Sequence, residues 1–338
     1  MRIAWIDCAA GASGDMLLGA FLDAGADLAV VNAAVAAVDS SLSVTVAQTA
    51  RHQIAATKAT VQVNGSPHPE NVPDAGHGHG HGHGDEGRHG HGHDHPPTRA
   101  WADVRQLLEQ AALSDAVRAR ALDTFARLAR AEGSAHGVHP DEVHFHEVGA
   151  LDAIADIVGV SAASISLDLD RIVVSTISLG GGRQVRGQHG GIPVPGPAVL
   201  ALLSEAEAPV VGGTAPYEMT TPTGAALLAS MADEFGQLPP MRIERTGVGA
   251  GGRDPVEVPN VVRVVVGESL EVPTTEIVYE TNVDDLDPRI WPQVLARLME
   301  AGAADAWLTP ILMKKGRPAH TLSVLVGSAD AEVVRSVI

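Results

Sequence analysis

Along the chain, apolar positions change their spacing in a way that sorts the elements. A short apolar run at 2–7, ending on Asp7, reads as a strand. The segment Cys8-Ala9-Ala10-Gly11-Ala12-Ser13-Gly14 follows as a glycine-rich loop, and a helix begins at Asp15 and stops near Gly25. An Ala/Val-rich helix spans about 28–38, and strict alternation at 42–46 and 59–63 predicts two strands. From about 65 to 97 only Val72 and Ala75 break a run of Gly, Ser, His, Pro, Asn and charged residues, which predicts a disordered insertion. Thr98 is the expected cap of a helix over 98–111, with Trp101, Val104, Leu107 and Leu108 on one face. A second helix over 115–133 carries Val117, Leu122, Phe125 and Leu128.

The pattern beyond this point is strand 171–175, a Gly/Pro-rich loop at 178–198, a helix near 222–235, and strands at 241–248 and 257–266. Residues 267–273 read as a linker. The remainder repeats strand and helix as β-α-β-β-α: strand 275–282, helix 288–301, strands 305–309 and 320–326, and a helix from Ala329. That is the ferredoxin-like order without its last strand. The expected class is α/β, mixed with α+β features: an N-terminal α/β domain over 1–266 and an incomplete ferredoxin-like domain over 274–338. The chain is thus expected to be cut short of a complete C-terminal domain, which an intact mass of the native product above that of 338 residues would establish.

Composition narrows the partners. Of 338 residues, 41 are acidic and 23 basic, a formal charge of −18 that opposes a phosphate backbone. Four Trp, two Tyr and four Phe give little for base stacking, so nucleic acid is excluded as a partner. The one cysteine, Cys8, rules out an internal disulfide and a multi-cysteine cluster. No apolar run nears the roughly 18 residues of a membrane span, and residues 1–7 lack the character of a cleavable leader. A protein with no membrane partner, in the cytoplasm, is expected.

Histidine does change the picture. Of 16, eight fall at His77, His79, His81, His83, His89, His91, His93 and His95, mostly alternating with glycine. Imidazole suits nickel, zinc or copper, and glycine lets a chain wrap an ion, so metal storage or delivery fits better than catalysis; an inert low-complexity linker is the plain alternative. A second cluster, His139-Pro140-Asp141-Glu142-Val143-His144-Phe145-His146-Glu147, is compact. His144 and His146 share a side if extended, and Asp152 and Asp156 share one if helical. Together they offer a mixed N/O metal site, although a solvated acidic helix start also accounts for them.

Asp7 and Asp15 bracket a turn that fits neither GxxxxGK[ST] nor GxGxxG. The pair would hold a metal that in turn holds a phosphate, or the turn is merely a tight connection. Cys8 is either a soft ligand or a small buried side chain. Hydroxyls at Thr220, Thr221 and Thr223 are explained largely by capping, and Arg183, Arg186 and His189 suit a lid over an anion or an ordinary surface loop. Near the end, Glu280-Thr281-Asn282-Val283-Asp284-Asp285 supplies acids and Lys314-Lys315-Gly316-Arg317 supplies cations. Carboxylates for a divalent ion and cations for phosphates make a nucleotide triphosphate site, or else a charged hairpin tip.

Taken in order, these segments resemble the LarC nickel-pincer cofactor biosynthesis family. The likeness runs through Asp7–Met16, the His-rich stretch, His144-Phe145-His146-Glu147-Val148-Gly149 with Asp152 and Asp156, Pro193–Ala198, Thr221–Ala226, Glu280–Asp285 and Met313–Pro318. The resemblance implies a nickel insertase or chelatase, a cyclometallase of the lyase class. It would place Ni²⁺ in pyridinium-3,5-bisthiocarboxylic acid mononucleotide with CTP and Mn²⁺ or Mg²⁺, making the cofactor of lactate racemase. Lactate racemase apoprotein and further copies of the chain are the implied protein partners. On this basis the tract His77–His95 recruits nickel, and His144 and His146 lie near the insertion site. Glu147 or Asp152 accepts the proton lost from the ring carbon. Asp284 and Asp285 hold Mn²⁺, while Lys314, Lys315, Arg317 and Asn282 contact CTP. Two other classes compete. A non-enzymatic nickel storage protein or metallochaperone would leave the ordered motifs unused, and a metal-dependent phosphohydrolase would work through Asp7 and Asp15 without nickel.

Overall fold

A computed structural model describes residues 1–67, 99–145, 151–182, 185–187, 190–213, 215–270, 276–328 and 330–338. The chain is mixed α/β and divides into two compact units, Met1–Ser269 and Leu270–Ile338.

In the first unit a mixed sheet runs in the order Glu234–Phe235, Arg171–Val174, Arg2–Asp7, Val261–Ser269, Met241–Ala250, Ile54–Val63, Leu42–Arg51. Arg2–Asp7 is parallel to Arg171–Val174 and antiparallel to Val261–Ser269. The inward positions Ala4, Ile6, Val262, Val264, Val266 and Val174 are 0% exposed and form one cluster with apolar faces of the helices. Helix Gly14–Asp23 contributes Met16, Leu17, Leu18 and Phe21, and helix Leu151–Ser166 contributes Ile154, Ile157 and Val158. Helices Asp115–His136, Pro197–Glu205 and Pro222–Met231 pack against one another. Trp101, Phe125 and Phe145 form an aromatic knot with centroids 5.9–6.4 Å apart, a favourable spacing for tilted rings.

Several boundaries differ from those the pattern predicts. Strands 42–46 and 59–63 extend into a hairpin of two ten-residue strands, Leu42–Arg51 with Ile54–Val63, because His52 and Gln53 adopt positive φ at the turn. Helix Trp101–Gln110 starts after Ala100, which gives no side-chain cap; Thr98 and most of the insertion 65–97 lie outside the described residues. The segment expected as loop to residue 198 runs into a helix, Pro197–Glu205, opened by proline in its first turn. The helix expected to reach 235 ends at Met231, and Glu234–Phe235 joins the sheet edge. Residues 267–269, expected within a linker, continue strand Val261–Ser269.

The second unit is a three-stranded antiparallel sheet with Arg317–Gly327 between Glu276–Val283 and Asp305–Met313. Helices Trp291–Glu300 and Ala331–Arg335 bring Trp291, Leu298 and Val334 onto Leu322, Val324 and Val326. Among the described residues no helix is long and apolar enough to cross a membrane.

Candidate functional site

The parallel strands Arg2–Asp7 and Arg171–Val174 release their carboxyl ends into loops 8–14 and 175–182, the place where open α/β sheets form ligand crevices. A third loop, 215–221, is woven into these two through the main chain. The Ala12 N–H donates to the Met219 carbonyl (3.1 Å), the Thr221 N–H to Ala12 (3.0 Å), and the Ser178 N–H to Cys8 (3.1 Å). Gly11, at φ +78°, and Gly224 make this contact possible. A Cβ there would stand 2.1 Å from the Met219 carbonyl oxygen and 2.2 Å from that of Ala12, respectively. Helices Gly14–Asp23 and Pro222–Met231 begin here, and the first N–H groups of a helix have no acceptor within it, which favours an anion. Thr221 Oγ1 caps the second helix by accepting the Gly224 N–H (3.1 Å), and Thr220 donates to Ser178 O (2.7 Å), so these hydroxyls serve the loop itself.

The two aspartates of the first turn separate. Asp7, 7% exposed, pairs with Arg263 of the neighbouring strand, whose Nε lies 2.8 Å from Oδ2. Its Oδ1 accepts the Ala9 N–H (3.1 Å). Asp15 accepts the Ser13 hydroxyl and the Met16 N–H (2.9 Å) and forms an ion pair with Lys58. Cys8 is 0% exposed; burial, and then the Asp7 charge, push its thiol up, so it packs as a neutral side chain.

Helix Leu151–Ser166 delivers Asp156 to the same turn. A Cβ on Gly14 would stand 2.6 Å from its Oδ2. Burial, Asp15 and Asp152 all raise the Asp156 carboxyl, while Lys58 opposes them. Asp152 sits one helical turn before Asp156. Strand His144–Phe145, paired with Arg99–Ala100, is anchored by Phe145 at 1% exposure and leaves His144 exposed. His146, Glu147 and the histidines His77–His95 lie outside the described residues, as do Arg183 and His189. Among the described residues no group of three or more His, Cys, Asp or Glu is arranged to hold a metal ion.

In the second unit the register sets Asn282 opposite Thr321, whose hydroxyl donates to Asn282 Oδ1 (2.6 Å). The turn Lys314–Gly316, with Lys315 at φ 65°, joins the two strands of the basic hairpin. Arg317 reaches back to Asp284 at 3.7 Å, so the acidic strand end and the cationic turn meet. Asp285, Lys314 and Lys315 are exposed.

Sequence reasoning did not find Lys58 or Arg263. Both sit in strands, where alternation does not mark which charge is paired. The one available signal is that Lys58 is the sole charged residue in the run Ile54–Val63.

The family described as "Nickel insertion protein" matches residues 4–338. The chain is 49% identical over 339 residues to the pyridinium-3,5-bisthiocarboxylic acid mononucleotide nickel insertion protein of Nocardioides sp., covering all of this chain and 78% of that protein. It is 39% identical over 347 residues to the protein of the same name from Clostridium kluyveri, covering all of this chain and 80% of that one. No solved structure matches this chain. With its match running from the first strand through the second unit, this chain belongs to the nickel insertion protein family.

Proposed function

We propose that this protein inserts Ni²⁺ into pyridinium-3,5-bisthiocarboxylic acid mononucleotide, in a CTP-dependent reaction that makes the nickel-pincer cofactor of lactate racemase. The observation that carries this reading is the family match over residues 4–338. The loops at the carboxyl ends of the parallel strands support it: two helix starts converge there on glycine-packed main chain, a setting that suits the phosphate of a mononucleotide. The substrate's two thiocarboxylates are soft donors matched to nickel, and closing the metal–carbon bond releases one proton from the ring carbon. A carboxylate must take that proton; Asp152 and Glu147 are assigned this role. The histidines His144 and His146 hand nickel to the site, and His77–His95 gathers it.

In the second unit the Arg317–Asp284 contact, which brings the cationic turn to the acidic strand end, supports a metal–nucleotide site. Asp284 and Asp285 would hold Mn²⁺ or Mg²⁺, and Lys314, Lys315, Arg317 and Asn282 would hold CTP. Bound there, the metal–nucleotide supplies phosphate-transfer chemistry; the protein residues supply charge and orientation.

The test is incubation with Ni²⁺, Mn²⁺, CTP and the bisthiocarboxylate mononucleotide, followed by mass spectrometry. A nickel adduct that needs CTP is expected. Tight nickel binding with no adduct would replace the insertase reading with a metallochaperone.

A further inference from the structure

Lys58 stands at a place the nickel-insertion chemistry has not yet used. It lies in strand Ile54–Val63, and its side chain is 14% exposed, against 20% for its partner Asp15. The residue before it, Thr57, donates its hydroxyl to Asp23 Oδ1 (2.6 Å) and accepts from Gln48 Nε2 (2.9 Å). Asp23 in turn accepts the Val248 N–H (2.8 Å). Two successive strand residues therefore pin helix Gly14–Asp23: Thr57 at its last residue, and Lys58 in its first turn.

The first turn needs such a hold. Asp15 shares its surroundings with Asp156, whose carboxyl abuts Gly14, and with Asp152 on the same helix. Ionised together, three carboxylates in this partly buried place would repel one another. The Lys58 ammonium acts against that repulsion at Asp156. Ser13, at the cap position, donates its hydroxyl to Asp15, and its side chain accepts no helix N–H. Lys58 thus holds Asp15 alongside the Ser13 hydroxyl and the Met16 N–H, and loop 8–14 runs directly into this turn.

We propose that Lys58 is a positioning residue for nickel transfer, holding Asp15 against the Asp156 carboxyl so that loop 8–14 and the helix start keep the shape that receives substrate. The inference rests on the nickel-insertion reading above. Lys58 acts through Asp15. Removing a residue that orients a site typically costs 10–100-fold in activity.

The experiment compares wild type, Lys58→Met, Lys58→Arg, Asp15→Asn and the double variant Lys58→Met/Asp15→Asn. For each, adduct formation is followed at saturating nickel and across a nickel titration, with thermal melting as the folding control. Lys58→Met should slow adduct formation by roughly 10–100-fold without raising the nickel concentration for half-maximal rate. Lys58→Arg should recover most of the loss. The double variant should be no slower than the slower single variant, since both remove the same contact. A wild-type rate in Lys58→Met, no recovery with Lys58→Arg, or multiplying losses in the double variant would overturn the role. If Lys58→Met does not fold, Asp15→Asn carries the test: unimpaired transfer in it overturns the role as well. Wild type forming no adduct under any condition removes the nickel-insertion reading itself, and the Lys58 role with it.

Discussion

At Asp156 the fold works against ionisation of the carboxyl. Its ordinary value is 3.8, and burial, Asp15 and Asp152 move it well above that. The native state then keeps a proton that the unfolded chain has already lost, so native stability falls as pH rises from about 3.8 through the raised value. Asp156→Asn removes this dependence. Urea unfolding from pH 4 to pH 7 should show a steeper loss of stability in wild type than in the variant, and parallel profiles would contradict the assignment. Asp7 and Asp15 look equivalent as letters flanking one turn. Arg263 and Lys58 distinguish them, and those partners sit 256 and 43 residues away along the chain. Cys8 is likewise decided by its surroundings, because burial beside Asp7 disfavours the thiolate that a soft ligand needs.

At the scale of elements, legibility follows how local the determining signal is. Helix Leu28–Val38 matches its predicted span because its apolar spacing and the Asp27 cap, which accepts the Ala29 N–H, are both local. The hairpin Leu42–Arg51/Ile54–Val63 was only half visible. Its turn-side residues, 47–51 and 54–58, carry no strict alternation, and its turn uses His52 and Gln53 in place of Asn-Gly. Helix Pro197–Glu205 was missed although Pro197 at its first turn was a readable signal; the glycine-rich context around it outweighed that cue. The His-rich segment is legible by composition alone and carries its own expectation. Deleting residues 77–95 should lower adduct yield severalfold at limiting nickel and leave it near wild type at saturating nickel. Equal loss in both conditions would refute recruitment.

For the whole molecule, two units carry two separate cores, one built on Ile6, Leu17 and Ile157 and the other on Leu298, Leu322 and Val324. Leu298 is 0% exposed, and Leu298→Ala should cost about 2–5 kcal/mol of the second unit's stability. Amide exchange should quicken in 317–327 and stay unchanged in 2–7. Equal quickening in both would merge the two cores into one cooperative body. By itself the sequence determined the α/β class, the order of most elements, and the residue types that suit nickel, because periodicity, composition and capping act over a few neighbouring residues. Tertiary structure alone decided which loops meet at the carboxyl ends of the parallel strands, and which cation each aspartate takes. Those pairings join residues far apart in the chain, and the chain's local pattern contains no term for them.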